Sequence, residues 1–298
     1  MSDYPAPSGV AAPAEDDAGG IAAGQAGERD AAAAQAARIE RSLKLTIPVA
    51  MLALTILGWQ LYVEINKVPP YILPSPVAVA TALWTDWGTL YPALLVTLKI
   101  TVSALVLALI GGVGLAILLV QSRWIELALY PYAVILQVTP IVAIAPLILV
   151  YASSTQVALL ICAFLVAFFP ILSNMVQGLK SVDHNLLNLF ELYGASRFQT
   201  LWLLKLPAAQ PYFMAGLKIG GGLALIAAVV AEFAAGSAGA GSGLAFRLLE
   251  AQYRLNIPRL FAALLLLSAT GVAIFGLTSL ISWLALRRWH ESAIKREN

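Results

Sequence analysis

Long runs of apolar residues alternate with short polar segments along most of this chain. A helix needs about 20 mostly apolar residues to cross roughly 30 Å of bilayer hydrocarbon. Six stretches meet that requirement, at residues 45–65, 97–120, 126–151, 156–178, 211–235 and 260–285. The pattern predicts an all-α polytopic membrane protein with about six transmembrane helices, and Thr139-Pro140 marks an expected kink inside the third.

Composition supports a membrane location and excludes several functional classes. Of the 298 residues, 60% are apolar and 11% are charged, whereas soluble domains average roughly 45–50% and about 25%. The net charge of +2 is too small to indicate nucleic-acid binding, so no nucleic-acid partner is expected. Cys162 is the single cysteine, and His184 and His290 lie in different segments. The sequence therefore predicts neither a disulfide nor a metal site.

The two ends of the chain are polar. Residues 1–43 are rich in Ala, Gly and Pro and lack the apolar core of a cleavable signal peptide, which predicts a disordered cytoplasmic tail. Residues 44–290 form the predicted transmembrane domain, and residues 291–298 a short tail. Most Lys and Arg residues outside the spans fall on the side of the N-terminus, which predicts that both termini are cytoplasmic. Lys99 and Lys218 are expected near span ends, where their side chains reach the interface.

Two segments are predicted to lie outside the spans on the opposite side of the membrane. Residues 68–97 begin with proline-rich turns and continue with apolar positions that predict an amphipathic helix on the membrane surface. Residues 236–259 open with a glycine-rich run. That run lacks the strand-to-helix context of a phosphate-binding loop, so we interpret it as a flexible connector to residues 244–253.

The segment between spans four and five, residues 179–210, carries the signals of two short helices. Asp183 is a candidate N-cap for the first helix, and Gly194 is placed to end it. Ser196 and Gln199 have the spacing of a capping box for a second helix. That second helix is expected to stop at Pro207, with Pro211 opening span five.

This pair of helices has a polar and an apolar side. The polar side carries Asn188, Glu191, Arg197 and Gln199, and the apolar side carries Leu189, Leu192, Phe198 and Trp202. A rigid, partly apolar projection of this kind is either a docking surface for another protein or a cover on the ends of its own spans. The pattern alone leaves both interpretations open.

The spacing in this segment resembles the cytoplasmic loop of binding-protein-dependent ABC importer permeases. The family pattern is Glu-Ala-Ala, three residues, Gly, nine residues, a branched apolar residue, one residue and Leu-Pro. Gly194, Leu204 and Leu206-Pro207 hold the matching positions. Asn188-Leu189-Phe190 stands where the family has Glu-Ala-Ala, and whether Glu191 substitutes for the missing acid stays open.

Four further blocks resemble the branch that imports nitrate, alkanesulfonates, taurine and thiamine-pyrimidine precursors. They are Leu73-Pro74-Ser75-Pro76, Thr139-Pro140 with Pro146, Phe169-Pro170 with Ser173-Asn174, and Val229-Val230-Ala231-Glu232. The resemblance implies a type I importer in which two permease copies line one path. It also implies a cytoplasmic ATPase dimer and a periplasmic or lipid-tethered substrate-binding protein as partners. A homodimer and a pair of similar permeases, and the identity of the solute, stay open.

The resemblance implies that the two-helix loop couples the permease to the ATPase. The implied coupling residues are Asn188, Glu191, Gly194, Ala195, Ser196, Arg197, Leu206 and Pro207. The chain has no Gly-x4-Gly-Lys-Ser/Thr phosphate loop. It is therefore expected to be a transport subunit without a cofactor of its own, and ATP and Mg²⁺ to be used by the partner. The alternative is a stand-alone secondary transporter, which usually needs charges inside the membrane.

Polar groups within the spans are the candidates for lining a translocation path. They are Thr139, Pro140, Ser173, Asn174, Gln177 and Glu232. Ser173 and Gln177 share a helix face, where they either line the path or bridge helices. Glu232 is predicted to be either a gate residue or an interfacial carboxylate that reaches water. Its expected ion-pair partners are Lys99, Arg247 or Arg254.

Overall fold

The computed structural model describes residue 35, residue 40, residues 43–44 and the ranges 46–236 and 241–287. Every regular element in these ranges is a helix. The described chain divides into two units, one ending at residue 65 and one beginning at residue 66. The predicted tail 291–298 lies outside the described residues, and so does nearly all of the predicted tail 1–43.

The first unit contains α1, Thr46–Ile65, a 20-residue apolar helix where the first span was expected. The second unit contains α2 (Pro76–Thr85), α3 (Trp87–Gln121), α4 (Arg123–Val138), α5 (Ile141–Tyr151), α6 (Thr155–Lys180), α7 (His184–Leu192), α8 (Arg197–Thr200), α9 (Leu206–Ala235), α10 (Leu244–Tyr253) and α11 (Ile257–Leu286). A π-helical turn, Leu201–Lys205, joins α8 to α9. The described residues thus contain five long membrane-spanning candidates, or six if α4 and α5 count as one span.

The predicted third span is not a continuous helix. α4 and α5 meet at an angle of 101°, and Thr139 between them has an extended backbone, with φ −71° and ψ 123°. Pro140 causes the break because its ring disfavours helical geometry at the preceding residue and because it offers no N–H to the helix. The Thr139 hydroxyl donates to the Ile135 carbonyl at 2.7 Å. The expected kink is therefore confirmed, and the expectation of a single helix over 126–151 is wrong.

The segment before the second span is shorter than predicted. Only α2 forms a separate helix, with the Ser75 hydroxyl accepting from the Ala78 N–H at 3.2 Å and Pro76 in its first turn. α3 then begins at Trp87, ten residues before the expected start at 97. Pro92, the sixth residue of α3, removes one backbone hydrogen bond from the helix without ending it.

The predicted break before the fifth span is absent. Residues Arg197–Ala235 form a 39-residue helical segment, so the second helix of the loop continues directly into the membrane-spanning part. The wide turn Leu201–Lys205 lies just before Pro207, whose ring and missing N–H disrupt the α-helical ladder of the preceding turn. The π turn absorbs this disruption without ending the helix.

α6 lies at the centre of the second unit and packs along α3 and α9. A Cβ added to Gly112 of α3 would lie 2.9 Å from Ile171 Cγ2. A Cβ added to Gly216 or Gly220 of α9 would lie 3.0 Å from the Pro170 carbonyl oxygen or from Ile171 Cδ1, respectively. Small residues let the helix backbones approach, which is the usual basis of helix association in lipid. These contacts also set the register of the three helices.

We expect Gly178→Ala to destabilise the α6–α9 contact by about 1–3 kcal/mol, as overpacking does in other cores. The new Cβ would lie 2.8 Å from Tyr212 Cβ and 3.0 Å from Ala209 Cα. Gly114→Ala is the matched control, because nothing lies within 4 Å of its added Cβ. Thermal unfolding in detergent measures both variants, and equal midpoints for the two would contradict the prediction.

Candidate functional site

α7 and α8 form a compact projection where α6 ends and α9 begins, which we call the knob (residues 183–200). Asp183 caps α7, since its Oδ1 accepts from the Asn185 N–H at 2.8 Å. Gly194 follows α7 with φ +67°, a left-handed conformation that suits glycine. This turn lets the Ala195 N–H donate to the Phe190 carbonyl at 2.9 Å. The predicted helix and its glycine stop are confirmed.

The second helix of the knob begins with the predicted capping box. The Gln199 N–H donates to Ser196 Oγ at 3.2 Å, and the Ser196 N–H donates to Gln199 Oε1 at 2.7 Å. Two of the unpaired backbone donors at the helix start are thereby satisfied within the knob. The helix ends of the knob are thus defined within the knob itself, and α8 continues through the π turn into α9.

Several apolar side chains of the knob and of the π turn that follows it are exposed in the described chain. Leu192 and Tyr193 are 83% and 82% exposed. Phe198, Trp202 and Leu203 are also largely exposed, although the Phe198 and Trp202 rings lie 5.8 Å apart and contact each other. Leu192, Tyr193 and Phe198 are thus not covered by the chain's own spans, whereas Trp202 borders the ends of α3 and α6.

A cleft of about 490 Å³ lies beside the knob, between α7, the π turn and the end of α3. Glu191, Arg197 and Lys205 contribute its charged groups, and Gly194 and Ala195 lie at its edge. Asn188 is exposed one turn before Glu191 on α7. The cleft therefore offers charges of both signs next to the exposed apolar surface.

Leu206 and Pro207 do not belong to the knob. They line a separate cavity of about 500 Å³ together with Val113, Met175 and Phe213. This position follows from the continuous helix Arg197–Ala235, which carries them away from the knob toward the span. The structure thus groups six of the eight predicted coupling residues in the knob and places the other two in α9.

Glu232 lies at the opposite end of α9, in a buried site between α3, α9 and α10. Its side chain is enclosed, with the residue 3% exposed. Thr97 Oγ1 donates to Glu232 Oε1 at 2.8 Å, and the Ala245 N–H donates to Glu232 Oε2 at 2.9 Å. The interpretation of Glu232 as an interfacial carboxylate that reaches water is therefore wrong.

This arrangement caps the first turn of α10 with side chains from two other helices. The N-cap residue of α10 is Gly243, which has no side chain to accept a hydrogen bond. The Leu244 N–H donates to Thr97 Oγ1 at 2.9 Å, and the next N–H, that of Ala245, donates to Glu232 Oε2. A carboxylate at a helix N-terminus is also favoured by the helix dipole. We call Glu232, Thr97 and Gly243 the α10 anchor.

The expected ion pairs of Glu232 are absent. Within the described ranges no Lys or Arg lies in ion-pair distance of it; instead Arg247 and Arg254 bind Glu250 at 2.8 and 2.9 Å. The hydrogen bond from Arg247 lowers the pKa of Glu250 below its ordinary value, and the charges of Arg247, Arg254 and Arg259 act in the same direction. Glu250 therefore contributes stability that is present above its unfolded pKa and is lost only as pH falls through the lowered value.

A family model for the inner-membrane component of binding-protein-dependent transport systems matches residues 104–290. The chain belongs to this family. It is therefore an ABC importer permease, a multi-pass protein of the inner membrane. The matched range includes the knob, Glu232 and α10, so both ends of α9 described above lie inside the family domain.

Curated relatives place the permease in the predicted branch. It is 34% identical over 83% of its length to the riboflavin transport permease RibX of Chloroflexus aurantiacus, covering 91% of that protein. It is 29% identical over 78% of its length to the formylaminopyrimidine permease ThiX of Halalkalibacterium halodurans, covering 92%. The taurine permease TauC of Escherichia coli is 28% identical over 67% of the chain and 75% of TauC.

The fold also matches a solved transporter. A crystal structure of an amino acid ABC transporter with histidines aligns with a TM-score of 0.54 and 18% identity. The alignment covers 66% of the permease and 92% of that chain. At this identity the match shows the fold alone, and it confirms the all-α polytopic class.

The candidate path residues of the permease lie at different depths. Thr139 lines a cavity of about 220 Å³ at the break between α4 and α5, opposite Pro170 and Leu223. Ser173 and Asn174 are half-buried and Gln177 is exposed on α6, and the Asn174 amide donates to the Pro170 carbonyl at 2.7 Å. Pro140 is exposed at the break, whereas Glu232 is enclosed in the α10 anchor.

The sequence did not identify three residues of these sites. Thr97 and Gly243 complete the α10 anchor, and Lys205 contributes a charge to the cleft beside the knob. Thr97 and Glu232 are 135 positions apart, and no local periodicity connects them. The available signal was chemical, because a carboxylate in an apolar helix requires donors from a neighbouring element.

Proposed function

We propose that this permease imports a small solute across the inner membrane by coupling to a separate ATPase through the knob. The observation that carries the proposal is the exposed apolar surface at Leu192, Tyr193 and Phe198 on a rigid, self-capped pair of helices. Exposed aromatic and aliphatic groups of this kind are typical anchors of protein–protein interfaces. The cleft charges Glu191, Arg197 and Lys205 provide the polar rim.

The continuous segment Arg197–Ala235 supports a mechanical link from the knob to the membrane domain. A displacement of the knob by the ATPase would move α9 as one body, because no flexible loop separates them. At its other end α9 holds α10 through the α10 anchor. Closure of an ATPase dimer on ATP and Mg²⁺ would in this way change the packing at both membrane faces.

The remaining partners follow from this arrangement. We propose that the knob and both termini are cytoplasmic, and that α10 lies on the periplasmic side, where a substrate-binding protein delivers the solute. A second permease copy completes the path, most simply as a homodimer. Thr139, Pro140, Ser173, Asn174 and Gln177 are the proposed path residues.

The proposed solute is either a sulfonate-, taurine- or nitrate-type anion or a nitrogen heterocycle of the pyrimidine type. Both kinds of solute occur in the names of similar permeases, as for taurine and for formylaminopyrimidine. Apart from Pro140, the proposed path side chains are neutral hydrogen-bonding groups, which serve either kind.

Co-purification tests the coupling proposal. We expect the wild-type permease, solubilised gently, to retain a soluble ATPase with a phosphate-binding loop in a stoichiometric complex that hydrolyses ATP. Leu192→Glu is expected to release this ATPase, because a charge at the centre of an apolar interface is left unpaired on binding. Mass spectrometry and the ATPase rate of the purified complex measure the loss.

Tyr253→Glu is the matched control for Leu192→Glu. Tyr253 is also 83% exposed, but it lies at the end of α10, at the opposite end of α9 from the knob. We expect this variant to keep the ATPase. If wild type binds no ATPase and the purified chain alone moves solute in liposomes, the permease works as a secondary transporter and the proposal fails.

A further inference from the structure

Lys218 lies deep inside the membrane domain, contrary to its predicted place near a span end. Gly216 packs against Pro170, and Gly220 packs against Ile171 and Ala167. Lys218 between them is therefore level with about residue 170 of α6. Ten residues separate this level from Lys180 at the end of α6, which is about 15 Å at the helical rise of 1.5 Å per residue.

This depth is beyond the reach of the lysine side chain. Half of a bilayer's hydrocarbon thickness is about 15 Å, so Lys218 starts near the middle of the membrane. Its stem of four carbons is too short to carry the ammonium group to the end of α6. By contrast Lys99, which lines a groove with Gln156 and Ser154, lies level with the start of α6, as predicted.

The part of the chain that the structure describes supplies no counter-charge at this depth. Among the described residues Lys218 has no ion pair, whereas Glu126, Glu250 and Asp86 pair with Lys or Arg residues at helix ends. The acid on the same helix, Glu232, is fourteen positions further on, about 21 Å away along the axis. A second identical chain would bring another Lys218 to this level, and no carboxylate.

The face of α9 that carries Lys218 is partly open in the described chain. Gly222, one turn on and on the same face, has nothing within 4 Å of an added Cβ. Lys218 is itself half-buried, and its neighbour Ile219 is 50% exposed. On the same face Met214 and Leu225 are buried, so the opening is confined to the level of Lys218 and Gly222. A lysine facing lipid at the centre of a helix costs about 2.5–3.5 kcal/mol or more. This face is therefore better matched to a water-filled path than to lipid.

We propose that Lys218 lines the translocation path and binds the anionic group of the solute, which is then a sulfonate, carboxylate or similar oxyanion. An ammonium group forms short, charge-assisted hydrogen bonds to such oxygens. The inference rests on the proposed import function and selects the anionic member of its two solute classes. If the solute were a neutral heterocycle, the two Lys218 ammonium groups of a homodimer would have no counter-charge in the path.

Thiol accessibility tests whether Lys218 faces the path. The experiment uses the intact complex in proteoliposomes with Cys162→Ala, which removes the single cysteine, a side chain that is only 1% exposed. Lys218→Cys in this background is treated with the anionic reagent sulfonatoethyl methanethiosulfonate. We expect modification that changes between the ATP-free and the vanadate-trapped complex.

Ile110→Cys is the depth-matched control. Ile110 is 68% exposed on α3, and its neighbour Gly111 packs against Phe168, close to the level of Lys218. A thiol facing lipid stays protonated and does not react with this reagent, so we expect no modification. If Lys218→Cys is as unreactive as the control in both states, Lys218 does not line the path.

Uptake measurements test the charge itself. The probes are ethanesulfonate as the anion and riboflavin as the heterocycle, each with the binding protein and ATP. We expect the wild-type complex to take up ethanesulfonate, Lys218→Arg to retain most of that uptake, and Lys218→Gln to lose about tenfold or more, the value of one charged hydrogen bond.

The outcomes separate the inference from the proposed function. Uptake of riboflavin alone by wild type, or equal ethanesulfonate uptake by wild type and Lys218→Gln, overturns the inference and leaves ATP-driven import intact. ATP-independent uptake by the permease without its ATPase contradicts the proposed function, whatever the Lys218 variants do.

Discussion

Gly243→Ala is expected to release the first turn of α10 and to lower the free energy of unfolding by about 2–4 kcal/mol. An added Cβ would overlap the Glu232 carboxylate at Oε1, Oε2 and Cδ. This overlap is far closer than van der Waals contact, so the Glu232 side chain must leave its position. Its hydrogen bonds with Thr97 and Ala245 are then lost inside a buried site.

Hydrogen exchange of peptides from residues 244–253, followed by mass spectrometry, measures this release. We expect faster exchange at the start of α10 in Gly243→Ala, with unchanged exchange in the knob at the far end of α9. Thr97→Val, which removes the shared hydroxyl at nearly constant shape, is expected to show part of the same effect.

A double-mutant cycle shows whether the damage acts through Glu232. In a Glu232→Ala background the space beside Gly243 is empty, so Gly243→Ala is expected to change stability little further. If Gly243→Ala is equally harmful in both backgrounds, the clash with Glu232 is not the cause and the α10 anchor is wrongly described.

Gly194→Val is expected to reduce ATP-driven uptake about tenfold or more while leaving the membrane helices folded. Gly194 has φ +67°, and a β-branched residue is a strained outlier in that region. Strain of about 1–3 kcal/mol is relieved by reorienting α7 against α8. The exposed apolar groups and the cleft charges would then no longer present one surface to the ATPase.

Gly194→Asn separates backbone strain from the loss of glycine. Asparagine adopts left-handed conformations readily, and nothing lies within 4 Å of a Cβ added at Gly194. We expect near-normal uptake and ATPase retention in Gly194→Asn. Equal loss in both variants would show that the turn geometry is not what matters at this position, and normal uptake in Gly194→Val would exclude a role for the knob's shape in coupling.

Local signals in the sequence determined the knob and most of the spans. The Asp183 cap, the glycine stop at Gly194 and the Ser196–Gln199 box were predicted and are confirmed. Each is formed by residues within a few positions of one another, so its energy does not depend on the rest of the fold. The length of each apolar run predicted most of the spans in the same local way, because the thickness of the bilayer sets how long a spanning helix must be.

Tertiary structure alone decided which residues meet and how deep they lie. The site of Glu232 depends on Thr97 and Gly243, which come from different helices. The depth of Lys218 depends on the glycine contacts that set the register of α9 against α6. The continuation of the knob into α9 depends on a π turn that accommodates Pro207. Hydropathy and capping patterns describe one helix at a time, whereas burial, partners and depth are properties of packed helices.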